Sequence, residues 1–363
     1  MRMKQKQWII GTFVLVSLAA CTHDKWENVP EGDVELDFTA SAETPVTRTV
    51  GGTTALTNGA YVAVYVGKGG RKPSADTAPD YTNAYTVQVN ASGIADELIP
   101  TGGVMKVESA DGYRFYALST NSASQVVPGL ANGCHAVDLH NGVDYLMAVN
   151  DNKGGGFNIG AGADPIALAF RHLATQVILT VKPAATNGYT AASGLTVGIA
   201  DIDNTGCYID LSAAWATSAT TPSPMIYWPA QPTTDGTDPT PVTGGVALEQ
   251  PDGQRKEATR NGTTFTVSFI LLPVSTSARG IPLQLDFSGL SFENGGTNAF
   301  PSKSYTARMM ATGDASELVL KGGYTYTFEA TITRNSASFS LPKIEPWVID
   351  GVNLDEVVEV DPQ

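Results

Sequence analysis

The sequence predicts an all-β protein built as two tandem β-sandwiches of Greek-key type. Three observations carry that expectation. The 363 residues include 37 Gly and 21 Pro among abundant Thr, Val and Tyr, a composition that favours short strands joined by turns. Runs alternating apolar with polar residues recur along the chain with turn signals between them. No window of 12 or more residues carries a helical stripe. At 42% hydrophobic residues the chain can fill two cores, and its length suits two domains of ordinary size.

The N-terminus comes first. Arg2, Lys4 and Lys6 precede an apolar run over residues 8–20, which is shorter than the roughly 20 residues a membrane-spanning helix needs. Leu18, Ala19, Ala20 and Cys21 have the form of a lipoprotein signal, so residues 1–20 read as a signal peptide and Cys21 as the lipidated residue. Residues 21–48 then form a polar tether followed by a first strand over residues 34–46. In that strand Val34, Leu36, Phe38 and Ala40 fall on one face. Arg48 and Thr49 offer a lone basic cleavage site at its end.

The remaining strands are expected at residues 61–66, 84–89, 113–118, 144–149 and 166–170, completing a first sandwich over 49–172. A second sandwich, over 173–343, takes strands at 175–181, 195–199, 265–272, 282–287 and 324–332. Residues 217–245, rich in Thr, Pro and Gly, read as a long loop. In the tail, residues 344–363, Val352, Leu354, Val358 and Val360 repeat the one-sided pattern of the first strand, with Glu356 breaching it. That tail is chemically able to occupy a groove shaped for the first strand.

Charge and motifs narrow the function classes. A net charge of −14, and −12 once residues 1–48 are removed, argues against nucleic acid as a partner. No nucleophile elbow, phosphate loop or His-Glu-x-x-His is found, so no catalytic residues and no cofactor are assigned. Glycines between 154 and 162 lack the Lys of a phosphate loop and read as a surface turn. Cys134, His135, Asp138 and His140 could supply metal ligands, but no second Cys/His cluster completes a zinc set, and no metal is assigned. A calcium-loop beginning at Asp201 breaks at Ser212, where the closing Glu belongs. His172 reads as a core or interface histidine, residues 67–72 as a solvated hairpin tip, and Cys134 and Cys207 as two separate buried thiols.

The lipobox at Cys21, the strand ending at Thr47-Arg48-Thr49, and the segments Phe170-Arg171-His172-Leu173, Phe269-Ile270-Leu271-Leu272-Pro273 and Ile344-Glu345-Pro346-Trp347 occur in a telling order. In that order the chain resembles the fimbrillin family of Bacteroidales pilus subunits. The resemblance implies transthyretin-like sandwiches, a lipoprotein precursor in the outer membrane, and cleavage at Arg48–Thr49 by an extracellular arginine-specific protease. It further implies a mature form in the fimbrium at the cell surface. There, strand exchange with other fimbrial subunits would support adhesion, with Val352, Leu354, Val358 and Val360 as donor residues.

Two other readings stand beside it. One is a surface lipoprotein that does not polymerise and binds glycan or protein, with Trp215, Tyr227 and Trp228 as an aromatic platform. The other is a fimbrial tip or accessory protein.

Overall fold

Where β-branched and aromatic residues recur at alternate positions, one face of a strand can be buried while the other meets water. The computed structural model describes residues 33–42, 53–91, 95–199, 207–212, 226–227, 255–277, 281–292, 300–309 and 317–350, and all regular structure among them is strand. The chain begins with β1 (Asp33–Leu36), β2 (Phe38–Ala42), β3 (Thr53–Ala55), β4 (Tyr61–Gly67), β5 (Tyr81–Val89) and β6 (Ala95–Pro100). β7 (Met105–Glu108), β8 (Ala110–Ser119), β9 (His135–Ala136), β10 (Leu146–Asn150), β11 (Phe157–Ile159) and β12 (Ile166–His172) follow.

Pairing in this part runs β10–β12–β2–β6–β5–β4–β8, and β8 also pairs with β10, so the seven strands close into a ring. Phe38, Tyr85, Phe115, Leu168 and Phe170 fill its inside. Closure removes free edges, which is how an all-β unit avoids pairing with stray strands.

Beyond His172 come β13 (Thr175–Pro183), β14 (Tyr189–Ala191), β15 (Gly194–Ile199), β16 (Tyr208–Asp210), β17 (Ile226–Tyr227) and β18 (Arg255–Glu257). Then follow β19 (Thr259–Asn261), β20 (Thr264–Leu271), β21 (Val274–Ser277), β22 (Ile281–Phe292) and β23 (Phe300–Met309). The last are β24 (Glu317–Leu320), β25 (Tyr324–Ile332), β26 (Ala337–Phe339), β27 (Lys343–Pro346) and β28 (Val348–Asp350). A sheet ordered β19–β20–β13–β25–β26 and another ordered β14–β22–β15–β18 enclose a second core. In β20 the alternation is strict: Phe265, Val267, Phe269 and Leu271 are buried.

A third apolar cluster joins the two parts. Tyr65, Tyr116, Tyr145 and Met147 pack with Ile209, Leu211, Ile226 and Leu272. The small sheet β17–β16–β9 crosses the same junction. The Gly142 N–H donates to the Ile270 carbonyl at 2.8 Å, and the Leu272 N–H to Asn141 Oδ1 at 2.9 Å. Cys134 and Cys207 both lie in this cluster as buried thiols with no disulfide between them, as the sequence suggests. Asp210 faces His135 in the β16–β9 register, which sets Leu211 opposite Cys134. Cys207 is therefore four positions away, about 13 Å along the strand and beyond disulfide reach.

The first strand is split at Asp37 into β1 and β2, a break that alternation alone does not signal. The segment expected as one long loop contributes β17, because Ile226 is buried in the third cluster. β6, β7 and β23 were not anticipated. Each mixes charged or polar residues into its run, and β23 buries few of its side chains, among them Tyr305 and Met309.

Two measurements follow from these cores. Replacing Phe38 by Ala should cost the uncut chain about 3–5 kcal/mol in urea unfolding, whereas Ser41→Ala, on the exposed face, should stay within about 0.5 kcal/mol. Burial, with the Asp210 carboxylate beside it, pushes the Cys134 thiol up to about 11, and burial pushes Tyr65 and Tyr305 up to about 12. The fold therefore favours the neutral forms of these groups. Their contribution is intact below the unfolded values, about 8.5 for Cys and about 10 for Tyr. It is lost as pH rises through 11 to 12. The urea midpoint should hold from neutral pH to about 8.5 and then decline steadily; an unchanged midpoint at high pH would contradict this.

Candidate functional site: the groove of the first strand

Val34, Leu36, Phe38 and Ala40 are buried, while Asp37 and Ser41 are exposed, so the segment turns one face fully into the first core. β2 runs parallel to β12, with Phe38 opposite Ile166 and Ala42 opposite Phe170, and meets β6 antiparallel at Thr39 and Glu97. The Asp37 carbonyl accepts the Ile166 N–H at 2.9 Å. Phe38 stands edge-on to Tyr85, with ring centroids 5.3 Å apart, and to Phe115 at 5.7 Å. β1 pairs with β7, where Lys106 and Glu35 form a 3.1 Å ion pair in solvent, a contact of small energetic weight.

Burial of Val34, Leu36 and Phe38 contributes about 2 kcal/mol each. Without β1 and β2, the ring would have a slot between β12 and β6, walled by apolar side chains and edged by unpaired backbone groups. Such a slot accepts an extended segment that is apolar at alternate positions.

The end of the described chain approaches the same place. β27 pairs antiparallel with β25, and β28 pairs parallel with β3 while packing against β12 and β2. Between them Trp347 is buried and stacks on His172, the last residue of β12, with centroids 3.8 Å apart and planes 4° from parallel. His172 Nδ1 donates to Asp144 Oδ1 at 2.6 Å, and Asp144 Oδ2 accepts from Asn121 Nδ2 at 2.9 Å. Asn121 Oδ1 in turn accepts the Thr57 N–H at 2.8 Å. His172 is thus a core histidine, as its apolar setting suggests, although its Nε2 has no hydrogen-bond partner among the described residues. Glu345, also buried, is held by Lys343 at 2.7 Å.

Other sequence candidates separate from this site. Cys134 and His135 meet Asp210 rather than Asp138 or His140, with ligand atoms all within 4.8 Å of one another. Asn132 Oδ1 already accepts the Cys134 and His135 N–H groups, so its amide N–H faces His135 Nδ1 at 3.1 Å. That leaves the proton on Nε2, 3.7 Å from the Asp210 carboxylate, so in this tautomer neither ring nitrogen of His135 offers a free lone pair. The hairpin tip is tied down: Lys68 pairs with Glu108 and Arg71 with Asp80. The glycine-rich turn is a close backbone approach, since a Cβ on Gly156 would lie 2.7 Å from Gly112.

Cys21, Arg48, Thr49, Val352, Leu354, Val358 and Val360 lie outside the described residues, as do Trp215, Trp228 and residues 201–206. The groove itself follows from the alternation of Val34 to Ala40. The Trp347–His172 contact joins positions far apart in the chain, and no local pattern points to it.

Comparison with solved structures places this fold among known ones. A proposed cell adhesion protein from Bacteroides uniformis is 15% identical, with a TM-score of 0.52, covering 88% of this chain and 100% of its own. A second, from Bacteroides ovatus, is 13% identical with a TM-score of 0.51, covering 87% and 99%. A fimbrilin from Porphyromonas gingivalis is 12% identical, with a TM-score of 0.44, covering 88% and 99%. No curated protein sequence matches significantly. The profile described as fimbrillin-like matches residues 47–347, most of the chain. The chain belongs to the fimbrillin-like family.

Proposed function

We propose that this protein is a pilus subunit made as a lipoprotein, released by proteolysis and assembled by strand exchange. Membership in the fimbrillin-like family supports a structural subunit of the cell-surface fimbrium, without a catalytic site. The observation that carries the finer reading is the position of β2. It closes the first ring with a fully buried face, yet it lies N-terminal to the lone Arg48–Thr49 site.

In this reading Cys21 carries the lipid that holds the precursor at the outer membrane. An extracellular arginine-specific protease cuts between Arg48 and Thr49, and residues 21–48 leave with β1 and β2. What remains is two sandwiches, 49–172 and 173–343, the first with an open groove. Exposed apolar walls and unpaired strand edges then favour capture of another strand. Val352, Leu354, Val358 and Val360, from another fimbrial subunit, supply the alternating face. Head-to-tail supply of this kind does not close on itself, so a filament grows and supports adhesion. Glu356 would face the groove, and a carboxylate there favours a local bulge or a shorter donor.

N-terminal sequencing of surface material, with boiled and unboiled gels, tests the reading. A start at Thr49 together with a ladder of multimers is expected; a monomer that keeps an acylated Cys21 would contradict it. Arg48→Ala should leave the chain uncut and monomeric. Deleting residues 352–363 should abolish the ladder while the monomer stays folded, and a persisting ladder would remove the donor assignment.

A further inference from the structure

We propose that the outer end of the second sandwich binds a carboxylated sugar through Lys303 of β23 and Arg334 of the turn after β25. This concerns what the subunit adheres to, and it is independent of strand exchange: neither the groove of β2 nor the tail takes part.

The site lies away from the junction. β13 and β25 run parallel from the Gln176–Thr325 pair, near the junction, to the Pro183–Ile332 pair, about 23 Å along the sheet. In β23, Lys303 stands opposite Phe287 and shares the parity of Tyr305 and Met309, all of them buried positions. Its stem therefore follows the inward face of the strand and brings the ammonium to the rim of the second core. There Nζ lies 5.6 Å from the ring centroid of Phe292, 5.3 Å from that of Phe300 and 5.1 Å from that of Tyr305. It also donates to the Arg334 carbonyl. The Arg334 guanidinium lies over the same Phe300 ring, 5.8 Å from its centroid. The turn that carries Arg334 is fixed: the Thr333 N–H donates to the Ser336 carbonyl at 2.9 Å, and Thr333 Oγ1 accepts the Ser336 N–H at 3.0 Å. The Arg334 N–H donates to the Asn187 carbonyl, and the Tyr305 hydroxyl to the Thr333 carbonyl, both at 3.0 Å. Arg334 is thus an exposed side chain on a firmly held backbone.

Two cations sharing one ring call for an anion. Elsewhere Lys68, Lys106, Lys182 and Arg255 each pair with a carboxylate. Among the described residues Lys303 and Arg334 have no such partner, although the chain carries 36 Asp and Glu against 22 Lys and Arg. The rings attract the ammonium and hold it in place, but they leave its charge without a counter-ion. A carboxylate in front of Arg334 would accept two parallel N–H bonds and answer both charges. The surroundings select its carrier. Asn335 and Ser336 follow Arg334 and are exposed, so neutral hydrogen-bonding groups flank the charge. A peptide partner would need an apolar anchor. Phe292 and Tyr305 are buried, and the two cations already cover Phe300. A long polyanion would be repelled by a chain of net charge −14. A uronic acid unit within an otherwise neutral glycan meets each condition, since it sets one carboxylate on a ring of hydroxyls.

Calorimetric titration of the full chain with a disaccharide of glucuronic acid and glucose tests this. Saturable binding at one site is expected, with none for the neutral glucose disaccharide. Arg334→Gln should weaken binding about ten-fold or more, as the loss of a charged hydrogen-bonding partner requires. Lys303→Met, which keeps the length of the stem, should weaken it in the same direction. Lys106→Gln, in the first sandwich, should leave it unchanged. Melting temperatures check that each variant folds. If Lys303→Met does not fold, Arg334→Gln decides alone, because that side chain is exposed and backbone bonds hold its turn. Absence of binding, equal affinity for the neutral disaccharide, or unchanged binding in a folded Arg334→Gln would overturn the proposal. A glutamate tripeptide that binds more tightly than the sugar acid would overturn it as well, by assigning the site to protein.

Discussion

The parallel ladder between β2 and β12 is the constraint on which the rest of the molecule depends. It is the contact that completes the first ring, and it exists only because Val34, Leu36, Phe38 and Ala40 turn inward together. A parallel neighbour cannot be supplied by a tight hairpin, since consecutive parallel strands need a long connection. β2 is accordingly joined to β12 by pairing alone, with most of the first ring lying between them in sequence. The proposed release of β2 would therefore break its pairing with β12 and β6 but none of the other strand pairings of the ring.

The junction between the two parts makes that removal local. The third cluster and the β17–β16–β9 sheet tie residues before His172 to those after it, independently of β2. Trp347 on His172 adds a contact at the foot of β12, and β28 secures β3. In the proposed assembly the groove would change occupant while these contacts, none of which involves β2, stay in place. The anionic surface adds no competing demand: its ion pairs, such as Lys182 with Glu329 at 2.6 Å, are exposed and contribute little.

Much of this was legible in the sequence. Alternation located β2, β4, β5, β8, β12, β13, β20 and β25 because each buries one face of a sheet. It missed β6, β7 and β23; β7 does alternate, burying Met105 and Val107 and exposing Lys106 and Glu108, but four residues are too short a run to stand out. The groove was legible as a one-sided strand upstream of a lone arginine. Its parallel partner was not, since nothing local in Ile166–His172 distinguishes a parallel from an antiparallel neighbour. Likewise, neither His172 nor Trp347 signals the other, and the meeting of His135 with Asp210 depends on β9 pairing with β16. Such contacts arise from topology, which period and propensity do not encode.

The claim at the centre is that the first strand is a separable filler of its groove. It is tested most directly by mixing a chain that starts at Thr49 with a synthetic peptide of residues 33–42 and following binding and thermal unfolding. The account predicts a one-to-one complex with a raised melting temperature, and weaker binding when Phe38 in the peptide is replaced by Ala. A chain that melts identically with and without the peptide, and does not bind it, would contradict the account.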